Sequence, residues 1–318
     1  MNYRSLNDLN SDMRNGLSRI PKEVDLIVGI PRSGMIAASI LSVHLNCPLI
    51  DFSGYIEGKK PWAGRTKKKS RLLNNALEAC CPLIIDDSLR SGGSMEEVRQ
   101  VILEHNLPGK HLFAAVYTLP GKESKVDISF RSLGLPRVFE WNLMHSSTLS
   151  RSCVDIDGVL CRDPVDSEND DGDNYKKFIS STPAIFQPSH EIGWLVTSRL
   201  EKYRTETEKW LASNNICYRN LMMLDVPSAE VRRRLRLHAS FKGEVYSQCD
   251  AVLFIESSST QAQTIAEISG KPTLSFDTGD LIWPGGMREY GSKMRSRAPA
   301  IWHRLITPIS SKVRSWWR

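Results

Sequence analysis

Leu83-Ile84-Ile85-Asp86-Asp87-Ser88-Leu89-Arg90-Ser91-Gly92-Gly93-Ser94 is the stretch on which the reading of this chain turns. A short apolar run of strand length ends in two carboxylates, and a small Gly/Ser turn then opens a helix. Adjacent carboxylates at a strand end can accept hydrogen bonds from a vicinal diol. The turn offers hydroxyls and unpaired backbone N–H groups at a helix N-terminus, where the dipole favours an anion. Diol and phosphate on one ligand describe a 5-phosphoribose. A bare Gly/Ser turn reads as a helix cap with acidic neighbours; the pattern D-D-x-x-x-S-G-G-S behind an apolar strand is more specific.

Outward from that stretch, short apolar runs alternate with helical periodicity. Residues 1–22 carry Leu6, Leu9, Met13 and Leu17 at helical spacing. A buried-strand run, Asp25–Ile30, is broken by Pro31-Arg32-Ser33-Gly34, and Met35–Leu45 reads as a helix. Cys47–Phe52 is a second strand, Ser53–Arg71 a polar, Lys-rich loop, Ser94–Glu104 a helix and Leu112–Tyr117 a further strand. Ser146–Ser152 is small and polar and reads as a linker. The pattern then restarts: strands at 153–156, 193–196, 251–255 and 273–276, with helices at 205–214 and 260–269. This is an α/β chain of two Rossmann-like domains, each expected to place ligands at the C-terminal ends of parallel strands.

Bulk properties fit that class. The chain has 318 residues, with 41% hydrophobic and 25% charged, enough for two ordinary cores. No apolar run approaches the roughly 18 residues of a spanning helix, and the polar N-terminus lacks a signal-peptide core, so a cytoplasmic location is expected. Seven cysteines without a C-x-x-C pair suggest free thiols used as packing in a reducing compartment. The net charge of +6 is uneven: +4 over residues 1–150, −5 over 151–287 and +7 over 288–318. That is a nearly balanced protein with a basic tail, and no nucleic-acid partner is expected.

In the first motif the chain resembles the type I phosphoribosyltransferases, whose signature is an apolar strand, two acids, three residues and T-G-x-T. Ser91 and Ser94 stand for the threonines and keep both hydroxyls. The family's pyrophosphate loop is matched by Gly29–Gly34. The resemblance implies phosphoribosyl pyrophosphate with Mg2+ as donor, bound by Arg32, Ser33, Gly34, Asp86, Asp87, Ser91, Gly92, Gly93 and Ser94. Arg32 would contact the diphosphate, and Lys59–Arg71 matches the family's catalytic loop in position and basic character. Lys67-Lys68-Lys69 within it also reads as a solvated charge run.

The second unit opens with Cys153-Val154-Asp155-Ile156-Asp157-Gly158, a strand ending in D-x-D-G. It resembles the haloacid dehalogenase-like (HAD) phosphatases. By that resemblance Asp155 is the nucleophile and Asp157 the acid/base, Thr197 of Trp194–Arg199 bonds the phosphate, and Lys242 holds nucleophile and phosphate together. Asp155, Asp157 and Glu256 of Leu253–Ser258 would ligate Mg2+. The family often has two acids where this chain has Glu256 followed by serines, so Gln261 or a water is left to complete the set. Asp166–Asp173 reads as a solvated loop, Arg232-Arg233-Arg234 equally as a helix face or a functional run, and little or no cap is expected.

These readings divide the chain into a phosphoribosyltransferase-like domain at 1–148, a HAD-like phosphatase domain at 149–287 and a basic, Trp-containing tail at 288–318. The tail's Ile301–Ile306 and Val313–Arg318 interleave tryptophans with cations. They read equally as a peripheral contact with an anionic membrane or as a helix packed on protein. The order of the motifs suggests transfer of 5-phosphoribosyl followed by removal of its phosphate. A glycan hydroxyl, lipid-linked, is the expected acceptor, as in ribofuranose-containing bacterial polysaccharides. Nucleobase salvage, with Trp141 or Phe139 stacking a base, and a non-catalytic sensor of the donor are the rivals.

Overall fold

The computed structural model describes residues 1–64 and 73–285. The lysine run at 67–69 and the tail at 288–318 therefore lie outside the described residues. In chain order the elements are β1 (Asn2–Arg4), α1 (Leu6–Asn15), β2 (Leu26–Gly29), α2 (Gly34–Leu45), β3 (Leu49–Asp51), α3 (Phe52–Ile56), β4 (Pro82–Leu89) and α4 (Gly93–Glu104). They continue with β5 (Leu112–Thr118), β6 (Ile128–Ser132), β7 (Arg137–Phe139), β8 (Ser152–Val154), α5 (Asp173–Ser181), β9 (Ile192–Leu200) and α6 (Arg204–Ser213). The last are β10 (Tyr218–Leu224), α7 (Ala229–Arg234), α8 (Leu237–Gln248), β11 (Leu253–Glu256), α9 (Ser259–Ser269), β12 (Thr273–Ser275) and β13 (Asp280–Ile282).

The first sheet is parallel, in the order β3-β2-β4-β5-β6. Its strands are apolar on both faces because helices cover both. Ile27, Leu83 and Ile85 point into a core with Leu9, Met13 and Leu41. Their neighbours Leu26, Val28 and Ile84 point the other way, against Met95, Val98 and Ile102 of α4. The strand order reverses between β2 and β4, and a crevice at such a switch point is the natural ligand site of an open α/β sheet.

The second sheet runs β10-β9-β8-β11-β12-β13, parallel except for β13. In its own chain order this is 3-2-1-4-5-6, which places its switch point between β8 and β11. The segment between β8 and β9 contributes one helix, α5, whose Tyr175, Phe178 and Ile179 are buried in the core. The acidic stretch before it is not simply solvated. Asp171 takes hydrogen bonds from Tyr203 Oη (3.0 Å) and the Ala229 N–H (2.9 Å).

Three local readings are corrected by the structure. The first residues are a strand, not the start of a helix: β1 pairs in parallel with β7, and Ser5 with Asp8 forms the capping box that begins α1 only at Leu6. Residues 146–152 are not a free linker but a 3-10 turn with Leu149 buried, leading straight into β8. Tyr3, Val138, Leu143 and Met144 share one apolar core with Leu160, Ile192 and Leu274 of the second unit. Finally, the loop expected from Ser53 begins as helix α3, capped by Asp51 Oδ1 accepting from the Gly54 N–H at 2.9 Å. Among the described residues no helix is long and apolar enough to cross a membrane.

Candidate active site

At the first switch point, β2 delivers Pro31-Arg32-Ser33 to the N-terminus of α2, and β4 delivers the two aspartates. The structure puts both carboxylates within β4 rather than after it. Asp87 is buried, 5% exposed, and its two oxygens are held from opposite sides. Ser33 Oγ donates to Oδ1 at 2.8 Å and Trp141 Nε1 to Oδ2 at 2.8 Å. Asp86 is half-buried; its Oδ1 accepts the Asp87 N–H at 2.8 Å. Arg32 is exposed beside the same crevice. The Pro31–Arg32 peptide is cis.

The Ser91–Ser94 turn leads directly into α4. Gly92 caps α4 with φ of +92°, a left-handed conformation that favours glycine. Ser91 Oγ accepts from the Gly93 N–H at 3.3 Å, and Ser91, Gly93 and Ser94 are exposed. A Cβ at Gly92 would lie 3.4 Å from Lys125 Nζ. This places an ammonium beside the turn, a residue that no local pattern in the sequence marks.

Burial, and then the neighbouring Asp87 charge, push the Asp86 carboxyl up to about 8. Its folded-state value lies above the unfolded one. Its contribution to stability is therefore complete below the ordinary carboxylate range and is lost as pH rises through about 8. Asp86→Asn is expected to melt higher than the wild type at pH 9, by about 2–4 °C or more, and at nearly the same temperature at pH 4. Equal melting curves at pH 9 would contradict the assignment.

At the second switch point Asp155, Lys242 and Glu256 converge although they are far apart in sequence. Lys242 Nζ donates to Asp155 Oδ2 at 2.6 Å and to Glu256 Oε2 at 2.8 Å, with Gln261 Oε1 at 3.5 Å. All three charged groups are almost wholly buried. Burial works against the Lys242 charge, but Asp155 and Glu256 outweigh it and hold the ammonium well above its ordinary range. Burial pushes Asp155 up while Lys242 pulls it back. The 2.6 Å contact with a firmly charged ammonium favours the ionised pair.

Asp157 is brought to the same end of the sheet but faces a cation the sequence reading left without a role. Buried Arg199 grips it through Nε (3.2 and 3.1 Å) and Nη2 (2.6 Å), while Cys161 Sγ lies 3.4 Å from Oδ1. Thr197 is buried at the adjoining strand end, its Oγ1 accepting the Arg199 N–H at 3.2 Å. Gly158, at φ +77°, lies so close to Ser257 that a Cβ would sit 2.4 Å from the Ser257 Cβ. The expected Mg2+ ligand set is not assembled. Lys242 stands between Asp155 and Glu256, Arg199 takes both oxygens of Asp157, and no group of three or more metal-ligating side chains forms among the described residues.

Further observations concern the arginine run, an aspartate and a cysteine pair. Arg232 is buried and donates to the Ser198 carbonyl at 2.7 Å, whereas Arg233 and Arg234 are exposed, so the arginine run divides between core and surface. Asp163, unmarked in the sequence reading, is pushed upward by burial and then by Asp157 and Glu256, which places it beside this site. All seven cysteines are free thiols. The Cys153 and Cys249 sulfurs lie 3.5 Å apart, and the hydrogen bond from Cys153 draws the Cys249 thiol down to about 6.

Comparison with known proteins bears on the first unit. Residues 4–146 match the family model described as the phosphoribosyl transferase domain. Solved structures similar to this part of the chain include a xanthine-guanine-hypoxanthine phosphoribosyltransferase from Helicobacter pylori, 19% identical. It covers 45% of this chain and 92% of its own, with a TM-score of 0.32. A purine phosphoribosyltransferase from Pyrococcus horikoshii OT3 is 22% identical over 44% of this chain and 92% of its own, also with a TM-score of 0.32. No curated protein matches the chain.

Proposed function

We propose that the phosphoribosyltransferase domain transfers 5-phosphoribosyl from phosphoribosyl pyrophosphate to a glycan hydroxyl, and that residues 149–287, a HAD-like phosphatase domain, then hydrolyse the 5-phosphate. The product is a ribofuranosyl residue in a bacterial surface polysaccharide. The reading is carried by one observation: a buried Asp155–Lys242–Glu256 cluster stands at the switch point of a second sheet, while Asp86 and Asp87 stand at the switch point of the first.

In the first step Asp86 and Asp87 hold the ribose hydroxyls, Ser33 and Trp141 fix Asp87, and Arg32 faces the diphosphate. The Ser91–Ser94 turn and Lys125 take the 5-phosphate. The C1–oxygen bond to diphosphate breaks, the acceptor oxygen bonds C1, and the acceptor's proton passes to water. Asp86 and Asp87 would hold a Mg2+ carried with the donor, a cation that supplies countercharge to a departing diphosphate. In the second step Asp155 attacks phosphorus and the ribose 5-oxygen leaves with a proton; water then cleaves the aspartyl phosphate. Lys242 offsets the charge on Asp155 and the phosphoryl group. Asp157's acid/base role requires it to exchange one Arg199 contact for the leaving oxygen. Lys242 between Asp155 and Glu256, and Arg199 on both oxygens of Asp157, neutralise these carboxylates in place of a metal cation.

One observation favours nucleobases as acceptors instead. Tyr117, Phe139 and Trp141 form a continuous stack, with Phe139 and Trp141 centroids 4.9 Å apart and 13° from parallel, and Trp141 adjoins Asp87. Pyrophosphate release from phosphoribosyl pyrophosphate separates the two readings. Bacterial membrane glycan extracts are expected to stimulate release and free purines or pyrimidines to leave it unchanged; the reverse pattern would replace the glycan reading.

A further inference from the structure

Between the two candidate sites lies a cleft of about 360 Å³, lined among others by Tyr3, Glu140, Trp141, Phe186, Phe276 and Asp277. It touches both. Trp141, on one wall, is the residue whose Nε1 holds Asp87. On the other wall the Phe276 N–H donates to the Glu256 carbonyl at 2.7 Å and the Asp277 N–H to the Ser257 carbonyl at 3.2 Å.

The chemistry of the lining is selective. Four aromatic rings offer flat apolar surface, and two carboxylates with the hydroxyls of Ser275 and Thr278 offer hydrogen bonds. No Lys or Arg lines it, and beside the single imidazole of His145 the two carboxylates make it a poor place for a phosphate or diphosphate. The volume lies at the small end of the roughly 300–1,000 Å³ common for ligand pockets, suiting a ring or two.

One lining residue also carries an unmet polar group. Tyr3 is 5% exposed and its hydroxyl has no hydrogen-bond partner, although buried hydroxyls usually have one. A Cβ at Gly279, on the cleft's rim, would lie 3.9 Å from that hydroxyl and 3.7 Å from Glu140 Oε1. Glu140 Oε2 is already engaged by the Leu6 N–H at 2.7 Å. Burial, with Glu140, Asp8 and Asp280 nearby, keeps the phenol protonated, hence a hydrogen-bond donor.

We propose that this cleft is the acceptor subsite and takes an uncharged, hydroxyl-rich sugar ring. Its C–H face packs on Trp141, Phe186 and Phe276, while its hydroxyls meet Tyr3 Oη, Glu140 and Asp277. The role as acceptor site rests on the transferase reading above. Sugar binding itself does not.

The test is binding of methyl glycosides of glucose, galactose, mannose, rhamnose and N-acetylglucosamine to the full chain, by saturation-transfer NMR and tryptophan fluorescence. Adenine, hypoxanthine and uracil serve as comparators, and binding of phosphoribosyl pyrophosphate is measured in parallel. At least one glycoside is expected to bind, with affinity lowered about tenfold by Tyr3→Phe and more by Phe276→Ala. Tyr3→Phe removes an unpaired hydroxyl, so it should melt at or above the wild-type temperature, and weaker binding would then report a lost ligand contact. Glycosides that fail to bind, or bind Tyr3→Phe and Phe276→Ala as well as the wild type, would overturn the assignment, as would nucleobases displacing them. Glycoside binding without donor binding would instead leave the cleft standing and remove the transferase reading.

Discussion

Asp155→Asn is expected to abolish phosphate release from a 5-phosphoribosyl product, with turnover falling by roughly 10³-fold or more. Asparagine keeps the shape of the side chain and can still meet Lys242, but its amide cannot serve as the nucleophile. The adjoining groups stay in place: Lys242 retains Glu256 at 2.8 Å, and Arg199 retains Asp157. Pyrophosphate release by the first domain should continue, because Asp86, Asp87 and the Ser91–Ser94 turn belong to a different sheet. Inorganic phosphate assays on the two proteins read this directly. Undiminished release would remove Asp155 from the chemistry.

Lys242→Met should give the largest loss of stability, about 3–5 kcal/mol at pH 8, the size expected when one partner of a buried ionic cluster is removed. It leaves Asp155 and Glu256 facing each other, both almost wholly buried, with no cation between them. Burial would then raise the Asp155 carboxyl with no ammonium to oppose it. Its neutral form is tolerated at low pH, so the deficit should shrink as pH falls and grow as pH rises through the raised value. Denaturant unfolding at pH 5 and pH 8 measures the difference. A variant as stable as the wild type at pH 8 would show that the 2.6 and 2.8 Å contacts carry little weight.

Sheets built from local apolar runs were the readable part of the fold. Leu26–Gly29, Leu83–Ile85 and Leu253–Ile255 are buried on both faces, so strand length and hydrophobicity announced them. What escaped depends on distant partners. Asn2–Arg4 is extended only because residues 137–139 lie alongside, and nothing in its own side chains opposes a helix. Leu149 anchors a segment whose Ser-rich composition imitates a linker. The site divides in the same way. Asp86, Asp87, Asp155, Thr197, Lys242 and Glu256 stood in motifs with order and spacing. Lys125 and Trp141 reach their places through turns long after the motif they serve. Arg199 was in plain view beside Thr197, but its grip on Asp157 depends on the register of β9 beside β8, which no pattern of residue types reveals.

One molecule is expected to pass through both sites in order. The decisive measurement supplies phosphoribosyl pyrophosphate labelled in the ribose carbon to wild-type and Asp155→Asn protein with a bacterial membrane glycan extract, and determines the mass of the labelled product. Ribofuranosyl glycan from the wild type and its 5-phosphate from Asp155→Asn is the predicted outcome. Label recovered only in nucleotides or nucleosides, or an identical product from both proteins, would contradict it.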